Sequence, residues 1–417
     1  MSDEKNPNEE QRNDERSFLK ETWKDEQISG KKILQAICKT AGKGLVFGIA
    51  ACLAFCALKP WVESRFNQDN NKVSIPKDEV EEETAEEETK EEKPTMTAEN
   101  YREMNKALRE VALEARNCIV EISGGSDSSD WKEDSETTSV SGVIIWDNGS
   151  EILVLAPYGE LPSKGNIQVK FSDNKEYDAQ LKRKDKNLGF GIYVVTKNSL
   201  QKTTLKSFEV AEWGNSYALS KGDPVIALGM QFGYSDGMGY GVISSMKNYI
   251  SLADYKYQII TTDIAAVSQG SGVLFNIDGQ VIGIVDQKNT DITGVNLVSA
   301  YAISEIKAAI ELLSNGSSTP YLGVIGVEVT EEISEKEGIP EGIYVKEVEA
   351  ESPAMEAGIQ CGDVIVKMDG TDICSQKGYS NKLMGFSQGE EISIQVMRQG
   401  AEEYEKIKLK AKVGAKQ

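Results

Sequence analysis

Ser271 reads on its own as a polar residue in a Gly-flanked turn, and its hydroxyl could do covalent chemistry only with help from other side chains. It stands in Gln269-Gly270-Ser271-Gly272, and glycines on both sides let the backbone turn tightly around a hydroxyl. A serine hydroxyl is a poor nucleophile at neutral pH, so it needs a base within hydrogen-bond reach. The 417-residue chain has no histidine, which rules out an imidazole relay of the Ser-His-Asp kind and any His-ligated metal. A Ser-Lys pair is the familiar alternative, but spacing assigns no lysine to Ser271. The six cysteines include no CxxC pair, which excludes a zinc ribbon and a disulfide-dense scaffold. No metal site and no cofactor is expected. With 46 basic against 67 acidic residues the net charge is −21, the wrong sign for a nucleic-acid binder.

The elements that must position this serine follow a long amino-terminal lead. Residues 1–43 are polar and read as a cytoplasmic tail, ending in Lys31, Lys32, Lys39 and Lys43. The apolar stretch 44–62 reads as one transmembrane helix, with Lys59 snorkelling and Trp61 at the interface. The preceding lysines put the N-terminus in the cytoplasm and the remainder outside. Residues 63–96 read as a solvated acidic spacer, since Lys77 to Pro94 holds ten acidic and three basic residues. Over 97–117 a short helix is predicted, because Tyr101, Met104, Leu108, Val111, Ala115 and Cys118 follow a 3,4,3,4,3 spacing. That stripe suits packing on the next domain or self-association.

From 118 to 313, short β-branched and aliphatic runs alternate with turn signals. They include Ser141–Ile145, Glu151–Leu155, Asn166–Phe171, Pro224–Leu228 and Gln258–Thr262. Gly272–Phe275 and Val281–Val285 flank an Asp278-Gly279 hairpin turn. Such a series predicts an all-β barrel or a pair of barrels. Ala300–Leu313 reads as a closing helix and Asn315–Pro320 as a linker.

Two stretches carry a more specific pattern. Gly222-Asp-Pro-Val-Ile-Ala-Leu-Gly-Met-Gln-Phe-Gly233 and Thr262-Asp-Ile-Ala-Ala-Val-Ser-Gln-Gly-Ser-Gly-Val-Leu-Phe275 resemble the HtrA (Deg) trypsin-like serine proteases. Residues 318–414 resemble the PDZ domain that follows the peptidase in that family. The resemblance implies a mainly β fold, a trypsin-like double β-barrel over 118–313 followed by a PDZ domain, behind the N-terminal transmembrane helix. It also implies where a catalytic triad would stand. The family's nucleophile lies in a Gly-Asn-Ser-Gly-Gly-Pro loop. Counted forward from Asp263 its place is Ser271; counted back from Leu274-Phe275-Asn276 it is Gly270, because the loop is one residue short. Proline, Pro157, stands where the histidine is expected, and glycine, Gly189, where the acid is expected. No acid–base relay can be assembled at these positions.

In the PDZ-like part, Tyr321-Leu322-Gly323-Val324 corresponds to the loop that offers backbone N–H groups to a peptide C-terminal carboxylate. Gly323 permits the close approach, and the strand through Ile325 accepts the peptide by β-augmentation. Ser352, Pro353 and Gly358 frame a short helix as N-cap, first residue and C-terminal stop. A helix over Gln376–Met384 walls the groove, with Leu383 and Met384 as specificity contacts. The competing reading of this part is a PDZ fold with a blocked groove. The expected function is a membrane-anchored HtrA-like pseudoprotease that binds polypeptide C-termini or unfolded envelope proteins in cell-envelope protein quality control. The protease-like and PDZ domains would be extracytoplasmic, and the family adds the expectation of a homo-oligomer. The alternative is an active serine endopeptidase using Ser271 with a non-histidine base.

Overall fold

A strand that is apolar at every position must be covered on both faces. Glu151–Pro157 is such a strand, buried at every position after the first. Ile152, Val154 and Ala156 enter one apolar cluster, whereas Leu153 and Leu155 enter another. The first cluster fills a barrel and the second lies between that barrel and the rest of the molecule.

The computed structural model describes residues 73–76, 78, 97–125, 138–159, 161, 166–291 and 294–416. The expected tail and membrane span lie outside the described residues, as does the spacer apart from 73–76 and 78. No helix among the described residues is long and apolar enough to cross a membrane. Helix α1 (Ala98–Ala115) starts at Thr97, whose hydroxyl accepts the Asn100 N–H as an N-cap. Its stripe divides: Leu108, Val111 and Ala115 pack on the core, while Tyr101 and Met104 are exposed.

Strands β1 (Ile119–Gly125), β2 (Thr138–Asp147), β3 (Glu151–Pro157), β4 (Asn166–Lys170), β5 (Glu176–Asp185) and β6 (Phe190–Thr196) close into a barrel in the order β1-β2-β3-β6-β5-β4. A second barrel has the order β10-β11-β12-β9-β8-β7. It comprises β7 (Pro224–Gly229), β8 (Gly237–Ser251), β9 (Lys256–Ala265), β10 (Ser271–Phe275), β11 (Val281–Asp286) and, after the short helix α2 (Gln287–Thr290), β12 (Leu297–Ala302). Residues 300–302, expected as the start of a helix, belong to β12. Ala300 and Tyr301 pair with Ile260 and Ile259 of β9, and that tertiary pairing overrides alanine's preference for helix. Helix α3 follows at Ile303–Ser314.

The final sheet has the order β13-β14-β15-β17-β18, from β13 (Val324–Val329), β14 (Gly342–Val348), β15 (Val364–Met368), β17 (Glu391–Gln399) and β18 (Tyr404–Lys412), with β16 (Thr371–Asp372) beside β15. Three helices accompany it: α4 (Glu331–Glu337), α5 (Pro353–Ala357) and α6 (Gln376–Met384). Ser352 caps α5 by accepting the Met355 N–H, and Gly358 ends it in the left-handed region at φ 85°. Residues 70–417 form one unit. Leu228 and Tyr257 of the second barrel share a continuous apolar cluster with Leu153 of the first and Leu322 and Leu383 of the last domain.

Part of the expected spacer is fastened to this unit. Val73 and Ile75 are buried, and their N–H groups donate to Asn315 Oδ1 and Glu311 Oε2. Asp78 pairs with the nearly buried Lys307 at 2.8 Å. The alternating β-branched residues Val73 and Ile75 explain the departure from a solvated coil, because their side chains find an apolar surface beside α3. Cys118, Cys361 and Cys374 are free thiols, and burial pushes Cys118 up to about 12.

Candidate functional site

The three positions at which the family resemblance implies a triad lie along one seam between the barrels. Pro157, the last residue of β3, is buried and pairs with Phe190. Gly189 precedes Phe190 at φ +85°, its carbonyl accepting the Tyr158 N–H at 3.1 Å. A side chain at Gly189 would meet Asn289 and Asp286, and Asp286 is the cross-strand partner of Ser271. The fold therefore brings these positions towards one place, but it supplies no imidazole and no carboxylate at Pro157 or Gly189. Asp286 is a carboxylate of the seam that the sequence reading did not single out, and it accepts from Asn289 Nδ2 at 2.7 Å.

Ser271 makes a contact between the barrels. It is 3% exposed. Its Oγ accepts the backbone N–H of Ser141 at 2.8 Å, so a hydroxyl at the start of β10 joins the second barrel to β2 of the first. Ser141 is itself buried, and its Oγ accepts the Met230 N–H at 2.8 Å. The neighbouring loop is a closed turn: Gly270 N–H donates to the Val267 carbonyl at 2.9 Å, and the Gly270 carbonyl accepts from Gln287 N–H. An oxyanion site needs free N–H groups aimed at one point, and that of Gly270 is committed to the turn. Nor does position 270 have room for a nucleophile. A Cβ there would sit 2.9 Å from the Gln231 carbonyl oxygen and 3.0 Å from that of Val267.

The second candidate site is the loop Tyr321–Val324, which the sequence reading assigned to peptide binding together with Ile325, Leu383 and Met384. Leu383, fully buried on α6, shares one apolar cluster with Leu322 and Val324, and the half-buried Ile325 continues the loop into β13. A side chain at Gly323, φ +89°, would run into Ser352, so the loop can take this path only with glycine. Tyr321 is braced through its hydroxyl, which donates to Glu349, and Lys416 Nζ reaches the same carboxylate at 2.8 Å. Burial alone would raise the Glu349 carboxyl; the Lys416 and Tyr321 donors outweigh it and hold the group below its ordinary value.

The loop's N–H groups already have an acceptor. Asp254 Oδ2 accepts from Leu322 N and Gly323 N, each at 2.7 Å, and Oδ1 accepts from Val324 N at 3.0 Å and from the Tyr379 hydroxyl at 2.7 Å. Asp254 belongs to the tight turn Leu252–Tyr255 between β8 and β9, closed by Leu252 N–H to the Tyr255 carbonyl at 2.8 Å. Its φ is +67°, which an aspartate tolerates better than most residues. Its own N–H donates to the Val324 carbonyl at 2.6 Å, and its carbonyl accepts from Ser380 Oγ at 2.9 Å. Tyr255 Oη donates to the Pro320 carbonyl at 2.7 Å and lies 4.0 Å from Met384 Sδ. On the other side, Asn187 Nδ2 holds the Ala253 carbonyl at 2.8 Å. Asp254 is fully buried. Burial pushes its carboxyl above the ordinary range, with the Gly323 amide, the Tyr379 hydroxyl and the Val324 and Leu322 amides pulling the other way. In the sequence the turn Ala253-Asp254 looks like any hairpin tip.

Comparison with known proteins agrees with these two domains. The family described as trypsin-like peptidase domain matches residues 140–284, and the PDZ domain family matches residues 323–409. The serine protease Do-like HtrA of Bacillus subtilis (strain 168) is 29% identical over 311 residues, covering 69% of this chain and 67% of that protein. A probable periplasmic serine endoprotease, DegP-like, of Pseudomonas fulva (strain 12-X) is 28% identical over 274 residues. That alignment covers 64% of this chain, which thus spans little more than half, 54%, of the DegP-like relative. Among solved structures, the HtrA-type protease AlgW with a tripeptide has a TM-score of 0.55 at 24% identity, covering 74% of this chain and 97% of that one. The chain thus holds a trypsin-like peptidase domain followed by a PDZ domain, an arrangement in which it is similar to the HtrA-type proteases.

Proposed function

We propose that this protein is an HtrA-like pseudoprotease that binds polypeptide C-termini or unfolded segments through its PDZ domain and does not cut them. One observation carries the reading: in a chain without histidine, the Ser271 hydroxyl is buried and bound to the Ser141 amide. Pro157 and Gly189 stand where the family resemblance implies the base and the acid, and neither side chain can move a proton. A binding role is supported by the loop at Tyr321–Val324, whose N–H groups hold a carboxylate. Related structures of HtrA-type protease AlgW are described with a decapeptide and a tripeptide.

The proposed setting is extracytoplasmic, with the apolar stretch 44–62 as a single-pass anchor and the N-terminus in the cytoplasm. Relatives named as periplasmic proteases support the location of the folded part. The partners would be unfolded envelope proteins, and the assembly a homo-oligomer of the kind the family resemblance implies. The test is hydrolysis of unfolded casein by the full chain in detergent micelles. Cleavage should not exceed that of the Ser271→Ala variant; cleavage abolished by that substitution would establish the alternative, an endopeptidase with a non-histidine base.

A further inference from the structure

We propose that Asp254 is an internal ligand of the PDZ carboxylate loop, so that a polypeptide C-terminus reaches the groove only by displacing the Leu252–Tyr255 turn. This rests on the reading of Tyr321–Val324 as a carboxylate site and adds how that site is closed.

The contacts are those of a bound C-terminus supplied in cis. Three consecutive N–H groups, of Leu322, Gly323 and Val324, converge on one carboxylate at 2.7–3.0 Å. Successive amides aimed at one point form an anion-binding nest, and C-terminal carboxylates are captured in such nests. The Asp254 N–H to Val324 carbonyl bond, 2.6 Å, adds the main-chain contact that a peptide docking by strand addition makes to a strand edge. Tyr379 of α6 completes the donor shell around the carboxylate, its hydroxyl donating to Oδ1 at 2.7 Å. The adjoining Tyr255 ring is buried, its hydroxyl 4.0 Å from Met384 Sδ, one of the expected specificity residues. Among the described residues the groups bonded to the Asp254 carboxylate are neutral donors, three amides and a hydroxyl. The closed form makes the domain a gated receptor: its apparent affinity is the intrinsic one reduced by the fraction of molecules with the turn displaced.

The experiment compares the wild-type full chain with Asp254→Ala and Asp254→Asn. Two probes are used: a fluorescein-labelled heptapeptide library randomised at its last four positions with free C-terminal carboxylates, and the same library amidated. Fluorescence anisotropy gives affinity, hydrogen exchange follows the amides of 322–324, and near-UV circular dichroism shows that each variant is folded. The expected result is that Asp254→Ala binds the free-acid library at least about tenfold more tightly than wild type, with no gain for the amidated library. Asp254→Asn, which keeps the shape and loses the charge, should fall between them. Equal binding of the free-acid library by wild type and both variants would overturn the capping and leave the peptide-binding reading intact. Absence of binding by all three, with amides 322–324 exchanging faster in the folded Asp254→Ala protein, would overturn the peptide-binding reading and with it the gating of that site.

Discussion

The Ser271 hydroxyl is the acceptor for a buried amide, and that role has an energetic signature. Ser271→Ala leaves the Ser141 N–H without this partner between the barrels. An unsatisfied buried donor costs about 1–3 kcal/mol, so thermal denaturation of the variant should shift downward by several degrees. A change below the error of the measurement would show that the contact contributes nothing to stability. Position 270 behaves differently. Gly270→Ser places a Cβ against the Gln231 and Val267 carbonyls. It should lower stability by about 1–3 kcal/mol through overpacking and restore no cleavage, as read by urea denaturation and casein hydrolysis. At this scale the sequence was informative about what is missing, because Pro157, Gly189 and the short loop can be counted along the chain. It was silent on Ser141 and Asp254. Their partners lie 130 and about 70 residues away, and neither residue carries a pattern that marks a distant contact.

Among the elements, those with their own local chemistry were legible. Helix α5 lies between its Ser352 cap and the left-handed Gly358, as its cap and stop residues predict. Helix α6 spans Gln376–Met384 as read. Strand β5 was missed because Glu176–Asp185 is mostly charged and largely exposed along its length, so apolar alternation is weak there. The fastening of Val73, Ile75 and Asp78 onto α3 was hidden by the acidic composition around them. One prediction belongs to the loop brace of Tyr321, Glu349 and Lys416. Glu349 is held below the ordinary 4.5 of a glutamate. A depressed carboxyl stabilises the fold above its unfolded value and loses that contribution as pH falls through the folded value. Wild type should therefore have a higher urea midpoint than Glu349→Gln at pH 7, and the two should converge in acid as pH falls through the lowered folded value. A difference that persists unchanged in acid would show that the brace does not act through this ionisation.

For the whole molecule, two barrels and a PDZ domain share one apolar cluster, and their packing buries the Ser271 hydroxyl and the Asp254 carboxylate between domains. At the seam, the Ser271 hydroxyl at the start of β10 pins one barrel to the other through the Ser141 amide. At the PDZ loop, a hairpin tip of the second barrel fills the carboxylate nest. The fold was readable because its strands repeat at short intervals and its PDZ signals are local, whereas the closure of the groove depends on how finished domains dock. The central claim, that the protease shape is retained without an activated serine, is tested most directly by a fluorophosphonate probe. It is applied to the folded full chain in detergent micelles, with Ser271→Ala as control. The account predicts labelling no higher than in the control. Labelling that disappears with Ser271→Ala would contradict it and require a base that activates this hydroxyl.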